Sequence, residues 1–463
     1  MATTTSDVDS NRAWFVALCA HVCIMIHEGL IKALGVMIPE ITEYFNTSTW
    51  VVGLIIAMMP AIGSLMSLSA GPLGEKVSSR SIIMVCGLIG ATGLVICSWV
   101  TKTITGFGVV LIGFTGVSLR LSFVMSTSIL GQYFSRYYAI ANSIAFLGSS
   151  SGIIIFAPLT QYLIIEYGWR GTLLILGGIC AHVIVCGGVM KEAVTDDGDH
   201  ETLQEVVDIK VDDDDVAANA SMNTENATEY AELHEHDEGA TEHTPLNVKS
   251  IPIPKEDDKL DKYGLHLFCN VKFLALLLST FVGMFVYAGW MVYLVPHAKG
   301  KGLVTYGATS LATAGGIGSL IGKIVISPIL DRKIISPTIL LTMGLLLSGI
   351  SLILDSFCSN YVILIMLSVV FGFTLGTTML IVFVMMIDIT GVKNLPKAVA
   401  WIFVVTGAAR MLAGFFIGWL YELTGNYDAS WIVMGSMNVF VAFIISIDLV
   451  YKCIDDLHSR VLG

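Results

Sequence analysis

The chain has 463 residues, is 55% hydrophobic but only 13% charged, and combines a net charge of −12 with a mean hydropathy of +0.78. An ordinary soluble domain carries about 25% charged residues, so a soluble enzyme is excluded, and the acidic total excludes a nucleic-acid binder. The charge is unevenly placed: residues 191–265 hold 22 acidic and six basic residues, leaving 15 acidic and 19 basic ones for the rest.

In chain order, residues 1–12 are a polar tail without the apolar stretch that precedes a cleavage site, so no signal peptide is expected. Apolar runs then recur near 13–38, 49–71, 81–100, 105–130, 138–163 and 171–190. Each has the roughly 20 residues that a helix needs to cross a bilayer core of about 30 Å. Residues 191–266 interrupt the pattern with the acidic insert, which includes Asp212 to Asp215, and its composition predicts disorder. Six more runs follow near 267–295, 305–327, 334–354, 361–387, 397–420 and 430–451, and 453–463 form a second tail. The expectation is an all-α membrane protein with twelve transmembrane helices in two bundles of six, 13–190 and 267–452.

An even number of spans puts both termini on one side. With the termini cytoplasmic, the opposite loops hold only Lys102, Arg170, Lys299 and Lys301, while Lys32, Arg120, Lys323 and Arg410 lie within spans. The other basic residues fall on the cytoplasmic side, as the positive-inside rule requires. Nine cysteines are spread singly along the chain, which argues against a disulfide framework or a metal site. Asn46-Thr-Ser is a glycosylation sequon in the first loop of the opposite face.

The chain also repeats itself. Gly71-Pro-Leu-Gly-Glu75-Lys76 after span 2 returns as Ser327-Pro-Ile-Leu-Asp331-Arg332 after span 8, shifted by 256 residues. Ala139, Gly148, Phe156 and Tyr162 return as Ala398, Gly407, Phe415 and Tyr421 at an offset of 259. The pairs Glu75–Lys76 and Asp331–Arg332 suit conformational latches between helix ends. Two related six-helix halves joined by a long linker resemble the major facilitator superfamily, in which the halves rock about a site near the midplane.

Gly131-Gln-Tyr-Phe-Ser-Arg136-Tyr-Tyr-Ala139-Ile-Ala141-Asn142 is similar to the span 4–5 signature of the monocarboxylate transporters, solute carrier family 16, and Gly168-Trp169-Arg170-Gly171 continues that pattern. Phe371-Gly…Gly376…Asp388 and Gly418-Trp419-Leu420-Tyr421 resemble that family's spans 10 and 11. The family's entry motif to span 1 is degenerate here, where Asp9 to Trp14 keeps only its two ends.

A charge in mid-span costs about 2.5–3.5 kcal/mol, so each is a functional candidate. Lys32 matches the lysine with which the family binds a carboxylate linked to a proton, and Glu28 stands one turn before it in the order that favours an ion pair. Such a pair could neutralise itself or release the lysine to substrate and carry a coupled proton. In span 8 the family places an aspartate and an arginine four residues apart; this chain has Ser319 and Lys323. A cation is retained, but loss of the aspartate puts lactate-type proton symport in doubt, and a lysine lacks arginine's bidentate fork. Arg120 in span 4 is a ligand candidate, whereas Arg410 on span 11 reads more readily as structural. Phe383 matches a family position that shapes the substrate cavity, and Asp388 reads as a helix-end latch.

These residues point to a carrier of small organic anions, monocarboxylates foremost, working by alternating access with proton coupling left open, in the plasma membrane and without a cofactor. The alternatives are amino-acid-derived or zwitterionic substrates such as aromatic amino acids, thyroid hormones or creatine, and a non-transporting receptor or regulatory subunit. The resemblance further implies a possible partner, a single-span immunoglobulin-type glycoprotein.

Overall fold

In a bilayer core no water satisfies the backbone, so each apolar run must close its own hydrogen bonds as a helix. The computed structural model describes residues 11–66, 77–99, 102–134, 137–190, 265–332 and 334–462, and among them every regular element is helical. Spans 1 to 4 are Asn11–Val36, Thr49–Met66, Ser79–Trp99 and Ile104–Leu130. Spans 5 and 6 are the two arms of Tyr138–Cys180, which reverses at Gly168, the second arm being continued by His182–Val189. Spans 7, 8 and 9 are Val271–Gly300, Thr305–Asp331 and Pro337–Phe357. Tyr361–Thr424, reversing at Gly391, supplies spans 10 and 11, and Asp428–Leu462 is span 12. Residues 191–264 of the acidic insert and the expected latch Glu75–Lys76 lie outside the described residues.

The two reversals leave almost no loop. Gly168 has φ +63° and Gly391 φ +67°, a left-handed conformation that glycine adopts without the Cβ penalty, so the chain turns on one residue. Span 1 also stops earlier than expected. The helix ends at Val36, and Pro39 opens a separate short helix, Ile38–Phe45. Elsewhere a side-chain oxygen takes up a free helix-start amide: Asn270 caps span 7 and Asn360 caps span 10.

Large apolar side chains such as Trp99, Val185, Met343, Met366 and Phe440 point outward and are exposed. In water these would form large sticky patches; against lipid they are at no cost. Inside, helices approach through small residues, as membrane bundles do. A Cβ on Gly372 of span 10 would stand 1.9 Å from the Gly315 carbonyl oxygen of span 8, so only glycine fits.

The two bundles meet along three seams, span 1 on span 7, span 2 on span 11 and span 5 on span 8. We call the end of the helices nearer Asn11 the terminal end and the opposite one the distal end. Toward the distal end the span 2–span 11 seam is closed by one phenol. Tyr293 of span 7 is fully buried, donates to the Gly414 carbonyl at 2.6 Å, and fits against Gly53 of span 2 and Gly418 of span 11.

Candidate functional site

Buried polar groups must find partners, so the charges inside the spans show where the interior is specialised. Lys32 is fully buried, and its Nζ donates to the carbonyls of Met291 at 3.0 Å and Trp290 at 3.4 Å, above the Trp290 ring at 4.7 Å. One turn earlier, the Glu28 carboxylate accepts from the Tyr287 hydroxyl at 2.6 Å and lies 3.4 Å from His27 Nδ1. The expected Glu28–Lys32 contact is therefore not formed; each residue has found a separate partner on span 7. The contacting pairs are 258 and 259 residues apart. That is the repeat offset of the sequence, so spans 1 and 7 cross where a two-fold axis relating the halves would pass. Gly35 allows this crossing, since a Cβ there would stand 2.6 Å from the Val292 oxygen.

Span 4 reaches the same region after one π-helical turn, Leu111–Gly116, a feature often found at functional sites. Four residues later Arg120 is buried, with its guanidinium over Phe123 at 4.6 Å and over Phe403 of span 11 at 5.6 Å. Its Nε has no hydrogen-bond partner among the described residues. Arg410 of span 11 is also buried, over the Tyr287 ring at 5.1 Å and 3.9 Å from the Met284 sulfur. Arg120, Arg410, Glu28 and His27 are near enough to interact electrostatically. This cluster draws on spans 1, 4, 7 and 11, and thus on both bundles.

The third seam holds the span 8 candidates. Lys323 Nζ donates to Ser149 Oγ at 2.5 Å, Ser150 Oγ at 3.0 Å and the Phe146 carbonyl at 3.1 Å, all on span 5. Ser319 shares a 3.0 Å hydrogen bond with Ser150. Lys323 thus reaches across to the other bundle and does not extend to the surface. Phe383 is half-buried and packs in a separate apolar cluster with Phe273 and Ile402. Asp388 and Arg332 are exposed, and Asp331 closes the helix of span 8.

At the distal end a polar group appears that sequence reasoning passed over. His297 Nε2 lies 2.7 Å from Asp355 Oδ1, and Lys301 contacts the same carboxylate oxygen at 3.4 Å and the Cys358 carbonyl at 2.8 Å. His297 also stacks on Trp431 with ring centroids 4.1 Å apart. The group borders a cleft of about 450 Å³ whose other wall includes Pro39, Thr42 and Glu43, and Lys299 pairs there with Glu40 at 3.5 Å. Its signal was the basic run His297, Lys299, Lys301 at a helix C-terminus, which reads equally well as a match to the helix dipole. Tyr287 and Arg410 were legible only as a repeat partner of Glu28 and as a lone charge. Among the described residues no disulfide joins the cysteines, and Cys186 of span 6 lies near Cys19 and Cys23 of span 1.

Among known proteins, the sequence model of the Major Facilitator Superfamily matches residues 14–354 and 305–452. Monocarboxylate transporter 2 of Homo sapiens is 25% identical over 439 residues, covering 93% of this chain and 84% of that protein. Monocarboxylate transporter 12 of Mus musculus is 24% identical over 460 residues, covering 96% and 87%. In structure, a peptide transporter POT in complex with sulfate superimposes with a TM-score of 0.64 at 9% identity, covering 93% of each chain. A POT family transporter in complex with 5-aminolevulinic acid gives 0.63 at 14% identity, over 94% and 96%. Those likenesses concern the fold alone.

Proposed function

The chain belongs to the Major Facilitator Superfamily, whose members here are transporters and not enzymes, and from that premise we propose that it carries small monocarboxylates by alternating access. The observation that carries this reading is the pair of buried guanidiniums, Arg120 and Arg410, one from each bundle and close enough to interact electrostatically. A buried cation without a countercharge is expensive; Glu28 answers one of the two, and an anionic cargo is the missing partner of the other. The names of the curated relatives agree with such a cargo.

In this reading Arg120 is the substrate contact of the first bundle. Lys32, Lys323 and Ser319 line the neighbouring seams and release their present partners when the bundles rock apart. Phe383 shapes the cavity only in another conformation, since it now packs elsewhere. A coupled proton exchanges at Lys32 and Glu28, and Asp331, Arg332 and Asp388, with Glu75 and Lys76, latch the terminal end. The termini face the cytoplasm and the membrane is the plasma membrane. An immunoglobulin-type glycoprotein as partner completes the family reading.

The test is uptake of labelled lactate, pyruvate, creatine and aromatic amino acids into proteoliposomes, with and without an inward pH gradient. Carboxylate uptake that rises with the gradient is expected. Uptake indifferent to the gradient removes the coupling, and uptake of creatine or amino acids in place of carboxylates removes the substrate class.

A further inference from the structure

Resting on the carrier reading above, we propose that Arg120 and Arg410 form a two-sided clamp for a single carboxylate, which makes Arg410 a specificity-determining residue for amine-free monoanions. Both side chains are at least nine-tenths buried, at 7% and 9% exposure. Aromatic rings cover their flat faces: Phe123 and Phe403 for Arg120, Tyr287 for Arg410. Rings satisfy the faces of a guanidinium but not the five N–H donors at its edge. Among the described residues those donors meet only the Met284 sulfur, at 3.9 Å from Arg410, and Arg120 Nε meets nothing.

The other cations of the interior are differently placed. Lys32 has spent its donors on two carbonyls and Lys323 on a carbonyl and two hydroxyls. The arginines are thus the cations left with open donors, and two forks match the roughly four lone-pair positions of one carboxylate. Their like charges disfavour one another in the interior, and an anion bound by both relieves that repulsion. Because Arg120 belongs to span 4 and Arg410 to span 11, the bound carboxylate draws the two bundles together.

Glu28 sets the charge that the clamp accepts. With Arg120 and Arg410 it leaves one net positive charge, which one carboxylate cancels. Its oxygens are already engaged by Tyr287 and His27. A substrate ammonium would have to displace the tyrosine, so amino acids and other zwitterions are disfavoured. A second carboxylate would find Glu28 as a like charge.

The experiment measures pyruvate, lactate and benzoate uptake in proteoliposomes, together with thermal stabilisation of the purified full-length chain by the same acids. Arg410→Gln should weaken both by roughly tenfold or more, the scale of a charged hydrogen bond. Arg410→Lys should recover part of the loss. Arg120→Gln/Arg410→Gln should be little worse than either single change, because half a clamp does not hold the anion. Succinate and alanine should neither stabilise nor enter the wild-type protein, whereas Glu28→Gln should admit succinate.

Wild-type affinity for pyruvate in Arg410→Gln, or full additivity of the two changes, would overturn the clamp while leaving the carrier reading intact. A wild-type protein that neither binds nor moves any carboxylate would remove both. Should the arginine variants fail to fold, the wild type supplies the answer through labelling by phenylglyoxal, read by peptide mass spectrometry. Pyruvate should slow modification of Arg120 and Arg410 together, and unslowed modification of either refutes the clamp.

Discussion

The fit of Tyr293 into a glycine socket makes a quantitative prediction for Gly53→Ala. The added methyl would stand 1.6 Å from Tyr293 Oη, 2.4 Å from its Cζ and 3.0 Å from the Gly414 oxygen. The phenol cannot retreat cheaply: it is fully buried, bonded to the Gly414 carbonyl, and bounded by Gly418, where a Cβ would lie 2.7 Å from the same oxygen. Overpacking of this kind costs about 1–3 kcal/mol and the lost hydrogen bond about 1 kcal/mol more, so we expect about 2–4 kcal/mol. That is roughly a 30- to 900-fold change in the closed population. Thermal unfolding in detergent reads the stability, and hydrogen exchange over residues 49–57 reads the opening of the seam. Tyr293→Phe should relieve only part of the strain, since Cζ remains too close, whereas Tyr293→Leu removes both atoms. In the double variant with Leu, Gly53→Ala should cost at least about 1 kcal/mol less than it does alone. If Gly53→Ala matches wild type in both assays, or if the changes are additive, the socket does not hold the seam.

Three further outcomes follow from the same contacts. Lys32→Met keeps the volume and leaves the span 7 carbonyls to their helical partners, so stability should change by less than about 1.5 kcal/mol, while the uptake response to a pH gradient should vanish; a retained response would clear Lys32 of proton coupling. Asp355→Asn removes the anion shared by His297 and Lys301 and should cost about 3 kcal/mol in unfolding, as the breaking of a buried pair does; a cost below about 1 kcal/mol would show the distal group to be well solvated. Lys299→Gln breaks a partly exposed pair with Glu40 and should change stability by less than about 1 kcal/mol, an effect that salt abolishes; a larger, salt-independent loss would place that pair in the fold's core.

Architecture was legible because a bilayer is a simple solvent. Twenty apolar residues have one way to satisfy their backbone, and the repeat of Pro72 and Pro328 motifs already related the two halves. Element ends were less legible. Val36 and Gly168 mark boundaries set by one proline and one left-handed glycine, and hydropathy averaged over a span cannot register a single residue.

The site divides along the same line. That Glu28, Lys32, Arg120, Lys323 and Arg410 matter could be read from cost alone, since a charge in an apolar span must be compensated. Which groups compensate one another could not, because the helical spacing of Glu28 and Lys32 favours a pair that span 7 intercepts with Tyr287 and two backbone carbonyls. Nor could the sequence show that Lys323 crosses to Ser149 and Ser150 of the other bundle. The acidic total of the whole chain, −12, says nothing of this interior, where four cations are held within the spans. Sequence by itself determined the spans, their number and the charges they bury, since these are properties of one helix in lipid. Tertiary structure alone decided the partners, because a hydrogen bond between helices depends on their crossing, and residues 259 apart have no local means of finding each other.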